Sequence, residues 1–444
     1  MRDKFLKLEL LRILTNLEIY LNKLDAQEYY SETSETFLNI CKRFCSKLKD
    51  SIETLPESLH QPLLKRINHE IIPLIRYVQR SESKNVPWSV IPNFEILIGG
   101  LLPEKYLILI RPQWHWNYSL IASNLAEYFK QIIRIFTGDA NYQIGQNIHV
   151  ISFPVLEKTN FLLHTIFGHE IGHFYQQKYF DKYFVPDWEK KVAEDIYKKI
   201  YERDPKQDVL QIASQTTEAI NIYKGAVREV LPDIMAYLLF GPSILFALYF
   251  LSVWFPDYEL PEKKNDYYPP LKSRIRFLYE NFFRSEVAQL KKDENVVNQM
   301  LFYFSESVSE YLSDDFDKQE IESNQTCSVA YTLFNNDLRG IIDFGQNSIG
   351  TNKYIFESTF IQSLVDRISI FIPPNEVGER TSKLADLFLC GWIHFYETFS
   401  KSTSDNKTLK DFVKHYKQQS LLLLKAANLI HAKSIYGQGN VSTK

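Results

Sequence analysis

Two histidines four residues apart flank a glutamate in the run His169-Glu170-Ile171-Gly172-His173. On a helix, positions i and i+4 share a face, so both imidazoles can direct a ring nitrogen at one ion while Glu170 projects beside them. A zinc ion held in this way lowers the pKa of a bound water towards neutrality and polarises a carbonyl. A neighbouring carboxylate can then take the water's proton and pass it to a leaving amine. The chemistry open to these residues is metal-assisted hydrolysis, with His169 and His173 as ligands and Glu170 as general base. Leu162, Leu163, Ile166, Phe167 and Ile171 recur at helical spacing, which predicts a helix over Phe161 to Phe180, and Gly172 allows another element to pack closely near the ion.

A hydrolytic zinc site needs a third protein ligand and one open position. In the metzincin pattern a glycine and a histidine follow at positions 176 and 179, but these are Gln176 and Tyr179. The other route is a glutamate on a later helix. Arg228-Glu229-Val230-Leu231-Pro232-Asp233 offers Glu229 and Asp233 four apart, with Glu229 as ligand and Asp233 as acceptor for a ligand histidine's second N–H. Pro232 lies inside that stretch, which a helix accommodates in its first turn or at a kink. His164, five residues before His169, sits on a neighbouring face and reads as a packed histidine. His394, His415 and His431 lack acidic partners at ligand spacing and read as structural, and Trp114-His115-Trp116 reads as packing and rim.

These residues resemble the gluzincin metallopeptidases, in which His-Glu-x-x-His is followed by Glu-x-x-x-Asp on a later helix. The resemblance covers roughly residues 145 to 280. Tyr268-Pro269-Pro270-Leu271-Lys272-Ser273-Arg274-Ile275 is similar to the His-Pro-x-x-x-x-Arg-Ile element of the branch that includes CAAX prenyl proteases and heat-shock membrane proteases. Tyr268 stands where that branch has histidine. The resemblance implies a zinc endopeptidase acting on a protein or peptide, with Tyr268 donating to the developing oxyanion and Arg274 fixing its segment or a carboxylate. It also implies that the run Ile148 to Phe153 is the edge strand to which an extended substrate adds. The interval between His173 and Glu229 fits an inserted helix pair, Trp188 to Tyr201 and Val209 to Tyr223.

The positioning elements divide the chain in three. Residues 1–85 carry helical spacing, as in Leu6, Leu10, Ile13, Leu17 and Leu21, and the polar stretch Arg80 to Asn85 reads as a boundary. Residues 86–290 form the expected zincin-type domain, where Tyr106 to Ile110 and Ile148 to Phe153 are strands of a small mixed sheet among helices. Residues 291–444 read as a helical unit. The expected class is α+β, predominantly helical, with helical flanks able to cover a cleft or take a regulatory partner.

A chain of 444 residues with 45% hydrophobic and 24% charged residues is globular and exceeds one core. A formal charge of -3 gives no basic field for nucleic acid or an anionic membrane. Four cysteines, Cys41, Cys45, Cys327 and Cys390, suit a reducing compartment, and Met1 to Leu14 is too charged for a signal peptide, so a cytoplasmic location is expected. Ile234 to Phe255 is long enough on length alone to span a bilayer, but Gly241-Pro242 interrupts it and a buried helical hairpin is expected instead. The rival readings are a catalytically silent zincin-like binding protein and a membrane-embedded peptidase.

Overall fold

The computed structural model describes residues 2–27, 29, 32–102, 106–115, 118–121, 125–145, 147–184, 186–203, 206–252, 269–313, 321, 324–404 and 409–439. Tyr268 and Trp116 lie outside the described residues. The chain forms two compact units, Met1–Thr159 and Asn160–Lys444. This division falls inside the 86–290 span expected as one domain, and the polar stretch after Arg80 is a connector within the first unit.

In the first unit, helices α1 (Arg2–Leu24), α2 (Glu32–Ser51), α3 (Glu57–Arg66), α4 (Ile72–Arg80) and α5 (Ile91–Leu101) precede strand β1 (Tyr106–Gln113). Strand β2 (Ser119–Ile121), helix α6 (Leu125–Thr137) and strand β3 (Asn147–Pro154) complete it. The crossover through α6 lets β1 and β3 pair in parallel, Tyr106 with Asn147 through to Gln113 with Pro154. Leu107, Leu109, Ile148 and Val150 share one sheet face and join Leu14, Phe37, Phe44, Ile71 and Phe129 in a single core. That core is what binds residues 86–159 to the N-terminal helices.

The sheet order is β1-β3-β2, which corrects the expectation of an edge strand at Ile148 to Phe153. β3 is central, with β1 along its whole length and β2 antiparallel across Val150 to Ser152. Its side chains are buried from Ile148 onward, so its unbroken apolar run reflects cover on both faces. From Val150 to Ser152 its backbone is paired on both sides, so strand addition cannot use that stretch.

The second unit is helical: α7 (Phe167–Tyr183), α8 (Pro186–Arg203), α9 (Val209–Phe240), α10 (Ser243–Leu251), α11 (Leu271–Leu278), α12 (Arg284–Ala288) and α13 (Val296–Tyr311). Then follow α14 (Gln325–Ile349), α15 (Ser358–Ser369), α16 (Leu384–Ser404) and α17 (Leu409–Gly439), with a two-residue hairpin, Glu376–Val377 against Arg380–Thr381, between α15 and α16. The small mixed sheet and helices α7 and α9 therefore belong to different compact units.

Helix α9 is the spine against which α7, α8 and α14 pack. Asp208 starts it, its carboxylate accepting from the Leu210 N–H at 2.7 Å. Gly241, at φ +60°, ends it, and a Cβ there would lie 2.5 Å from the Tyr354 ring. The expected second inserted helix and the ligand helix are one element, and Pro232 lies deep inside it, neither in a first turn nor at an end. The cost of an interior proline is offset where it sits, because Pro232 packs directly on Gly172 of α7. A Cβ on Gly172 would meet Pro232 Cα at 2.5 Å, and one on Gly168 would meet the Phe240 ring at 2.5 Å.

The apolar run from Ile234 divides at Gly241-Pro242 into the end of α9 and the start of α10, both buried, as the hairpin reading requires. Among the described residues no helix is long and apolar enough to cross a membrane.

Candidate metal centre

Helix α7 presents His169, Glu170 and His173 on one turn, and their metal-capable atoms all lie within 4.8 Å of one another. His169 and Glu170 are buried. Across the Gly172–Pro232 contact, α9 supplies Glu229 and Asp233 one turn apart. Asp233 Oδ1 lies 2.7 Å from His169 Nδ1, while Glu229 Oε2 lies 3.5 Å from His169 Nε2. The two carboxylates thus grip opposite nitrogens of one ring. His173 is held by a residue of its own helix, its Nδ1–H donating to Gln176 Oε1 at 3.0 Å, and its ring stands edge-on to that of His169 at 4.7 Å.

Helix α11 brings Arg274 onto both acids. Its Nε and Nη2 donate to the two oxygens of Asp233, each at 2.7 Å, and its Nη1 stands 3.1 Å from Glu229 Oε2. Asp233 is 0% exposed, so the bidentate guanidinium is what permits its charge in the interior. Arg274, expected to fix its segment or a carboxylate, pairs with both carboxylates. Tyr268 falls outside the described residues.

These contacts fix the charges. Burial works against ionising Asp233, but Arg274 and His169 overcome it and hold the carboxyl down at about 2. Glu229 is lowered as well, against burial, by Arg274 first and by the histidines next. Burial would also lower His169, yet the charge and hydrogen bond of Asp233, together with Glu229, carry it up to about 10. His173 falls to about 4, from burial first and then from the His169 charge. At neutral pH the metal-free site therefore holds a protonated His169 and a neutral His173.

The donor set could hold a metal ion. With Nδ1 of His169 taken by Asp233 and Nδ1 of His173 taken by Gln176, the nitrogen left on each ring is Nε2, which is how outer-shell partners orient ligand histidines. A cation at His169 Nε2 must displace its proton, whereas His173 has none to lose. Apparent affinity for a divalent metal ion should therefore rise about tenfold per pH unit between pH 6 and 8, a one-proton slope. Competition against a chelator, corrected for the chelator's own titration, measures it, and a flat profile would exclude His169 as the displaced acid.

No family model, curated protein or solved structure matches the chain. The site must be read from its own geometry. That geometry unites every described residue expected from sequence: His169, Glu170, His173, Glu229, Asp233 and Arg274. It adds Gln176, whose signal was its position one turn after His173. His164 is buried and stacks on Phe167 at 5.3 Å, as a packed histidine does. His394 and His415 face each other with Nε2 atoms 3.2 Å apart, a pairing between α16 and α17 that their separation in sequence concealed.

Proposed function

We propose that the chain is a zinc-dependent endopeptidase of the gluzincin type, with His169, His173 and Glu229 holding the ion and a protein or peptide as substrate. The observation that carries this reading is the doubly engaged His169, bound to Asp233 through Nδ1 and facing Glu229 through Nε2. A buried glutamate next in sequence completes the set a hydrolase needs. When bound, zinc acidifies a coordinated water and polarises the scissile carbonyl.

The chain's own residues do the remainder. Glu170 accepts the proton of the attacking water and returns it to the leaving nitrogen. Asp233 keeps the Nδ1 proton on His169, so that ring cannot turn or change tautomer during the cycle. Arg274 neutralises Asp233 and part of Glu229, preventing the two acids from repelling each other across the ring. Tyr268 is assigned, on the resemblance alone, to the oxyanion. An intact Glu170 favours an active enzyme over a silent zincin-like protein.

Metal analysis of the purified chain tests the ligand set. The wild type should carry about one zinc per chain and cleave a quenched-fluorescent peptide library, while His169→Ala and Glu229→Ala should lose the metal and the cleavage together. Stoichiometric zinc retained in both variants would overturn the assignment.

A further inference from the structure

Two imidazoles meet nitrogen to nitrogen between α16 and α17. His394 and His415 bring their Nε2 atoms to 3.2 Å, with the ring planes tilted by 44°. His394 is 5% exposed and His415 is half-buried, so the pair is closed on the α16 side and reachable from solvent past His415.

A neutral imidazole carries one N–H and one bare nitrogen, so the position of the His394 proton decides what the pair can do. Its Nδ1 makes no hydrogen bond among the described residues, but Glu397, three residues on, holds Oε2 3.7 Å away, within reach of a small side-chain turn. Lys401 donates to the other oxygen of Glu397 at 2.6 Å and anchors it there. A carboxylate in that place favours the proton on Nδ1 and leaves the Nε2 lone pair on the His415 side, which is how an outer carboxylate prepares a ligand histidine. The two helices fix the gap. Gln419, one turn after His415, donates to the Gly391 carbonyl of α16 at 2.6 Å, and a Cβ on Gly391 would stand 2.7 Å from the Leu423 side chain.

That gap has the width of an ion's coordination edge. Two nitrogens each about 2.0–2.1 Å from a tetrahedral ion stand about 3.3–3.4 Å apart. The 3.2 Å pair therefore admits such an ion just off the line between its nitrogens, with small rotations of the rings. We infer that His394 and His415 form a metal site separate from the α7–α9 centre, taking Cu2+ or Zn2+, with Glu397 orienting His394 and water completing the coordination. Imidazole donors suit these two ions. An ion there staples α17 to α16, so the folded chain gains stability as the site fills.

The full chain, stripped of metal, is titrated with Cu2+ and, separately, with Zn2+ against glycine as a weak competing chelator. The titration is run on the wild type and on His169→Ala, in which the α7–α9 centre is silenced. Thermal unfolding follows both ions, and electron paramagnetic resonance of the copper sample counts the bound imidazole nitrogens. Saturable stabilisation is expected in both chains, Cu2+ being the tighter ion, with two imidazole nitrogens on the copper in His169→Ala. His415→Ala should abolish it, and Glu397→Gln should raise Kd about 10- to 100-fold. If His169→Ala or His394→Ala does not fold, His415→Ala and Glu397→Gln in the wild-type chain carry the test. Saturation by either ion with these dependences supports the site. No saturable binding, its loss in folded His169→Ala, or an unchanged Kd in His415→Ala or Glu397→Gln leaves only an N–H···N hydrogen bond between the rings and overturns it.

Discussion

Glu170→Gln should leave the protein folded and zinc-loaded while lowering kcat/KM for peptide hydrolysis by about 100- to 10,000-fold, the range a positioned general base supplies. Glutamine keeps the volume of a side chain that is 4% exposed, so packing on α7 is undisturbed. It retains a carbonyl that accepts a hydrogen bond but cannot carry away a proton at neutral pH. The loss should therefore appear in kcat, with KM little changed, since the base acts in the transition state and not in substrate binding. Metal content beside the kinetics separates this from a ligand defect. A zinc-loaded variant within about threefold of wild type would remove Glu170 from the chemistry.

Arg274→Met should be the most destabilising single change at the site, costing about 3–5 kcal/mol in the metal-free protein. Methionine fills the stem but leaves Asp233 and Glu229 buried with the guanidinium gone and only protonated His169 between them. Denaturant unfolding measures the loss. Its pH dependence has a defined sign, because Asp233 is depressed from an ordinary value of 3.8 to about 2. A depressed carboxyl stabilises the fold above its unfolded pKa and ceases to do so as pH falls through the folded one. The wild-type advantage that flows through Asp233 is thus complete above about pH 4 and disappears towards about pH 2. A difference constant across that window would show that Arg274 stabilises by packing and not by charge.

Much of the centre was legible because helical spacing is a local rule. His169 with His173, and Glu229 with Asp233, are each one turn apart, and nothing beyond a helix is needed to align them. The structure keeps both alignments. Spacing could not show that Pro232 lies within a continuous α9, because proline reads as a break unless the glycine receiving it, Gly172, is known to lie opposite. Strand propensity marked β3, but its neighbours arrive from sequence positions on both sides, so central and edge strands look alike in one dimension. The polar stretch after Arg80, read as a boundary, lies inside the first compact unit for a related reason. Polar composition marks a connector, although Ser81 and Glu82 are buried, whereas the shared core of Phe44, Phe129 and Val150 decides which segments belong together.

The contact between Gly172 and Pro232 has one more consequence. Where two helices meet side chain on side chain, rotamers can yield and the gap between them can breathe; where backbone meets backbone, it cannot. The separation of the His169–His173 wall from the Glu229–Asp233 wall is thus gauged by main-chain atoms, leaving only side-chain torsions to adjust to an ion. Such a frame works as a caliper of set width, and discrimination by ionic radius becomes a mechanical property of the two helices as much as a chemical one of the donors.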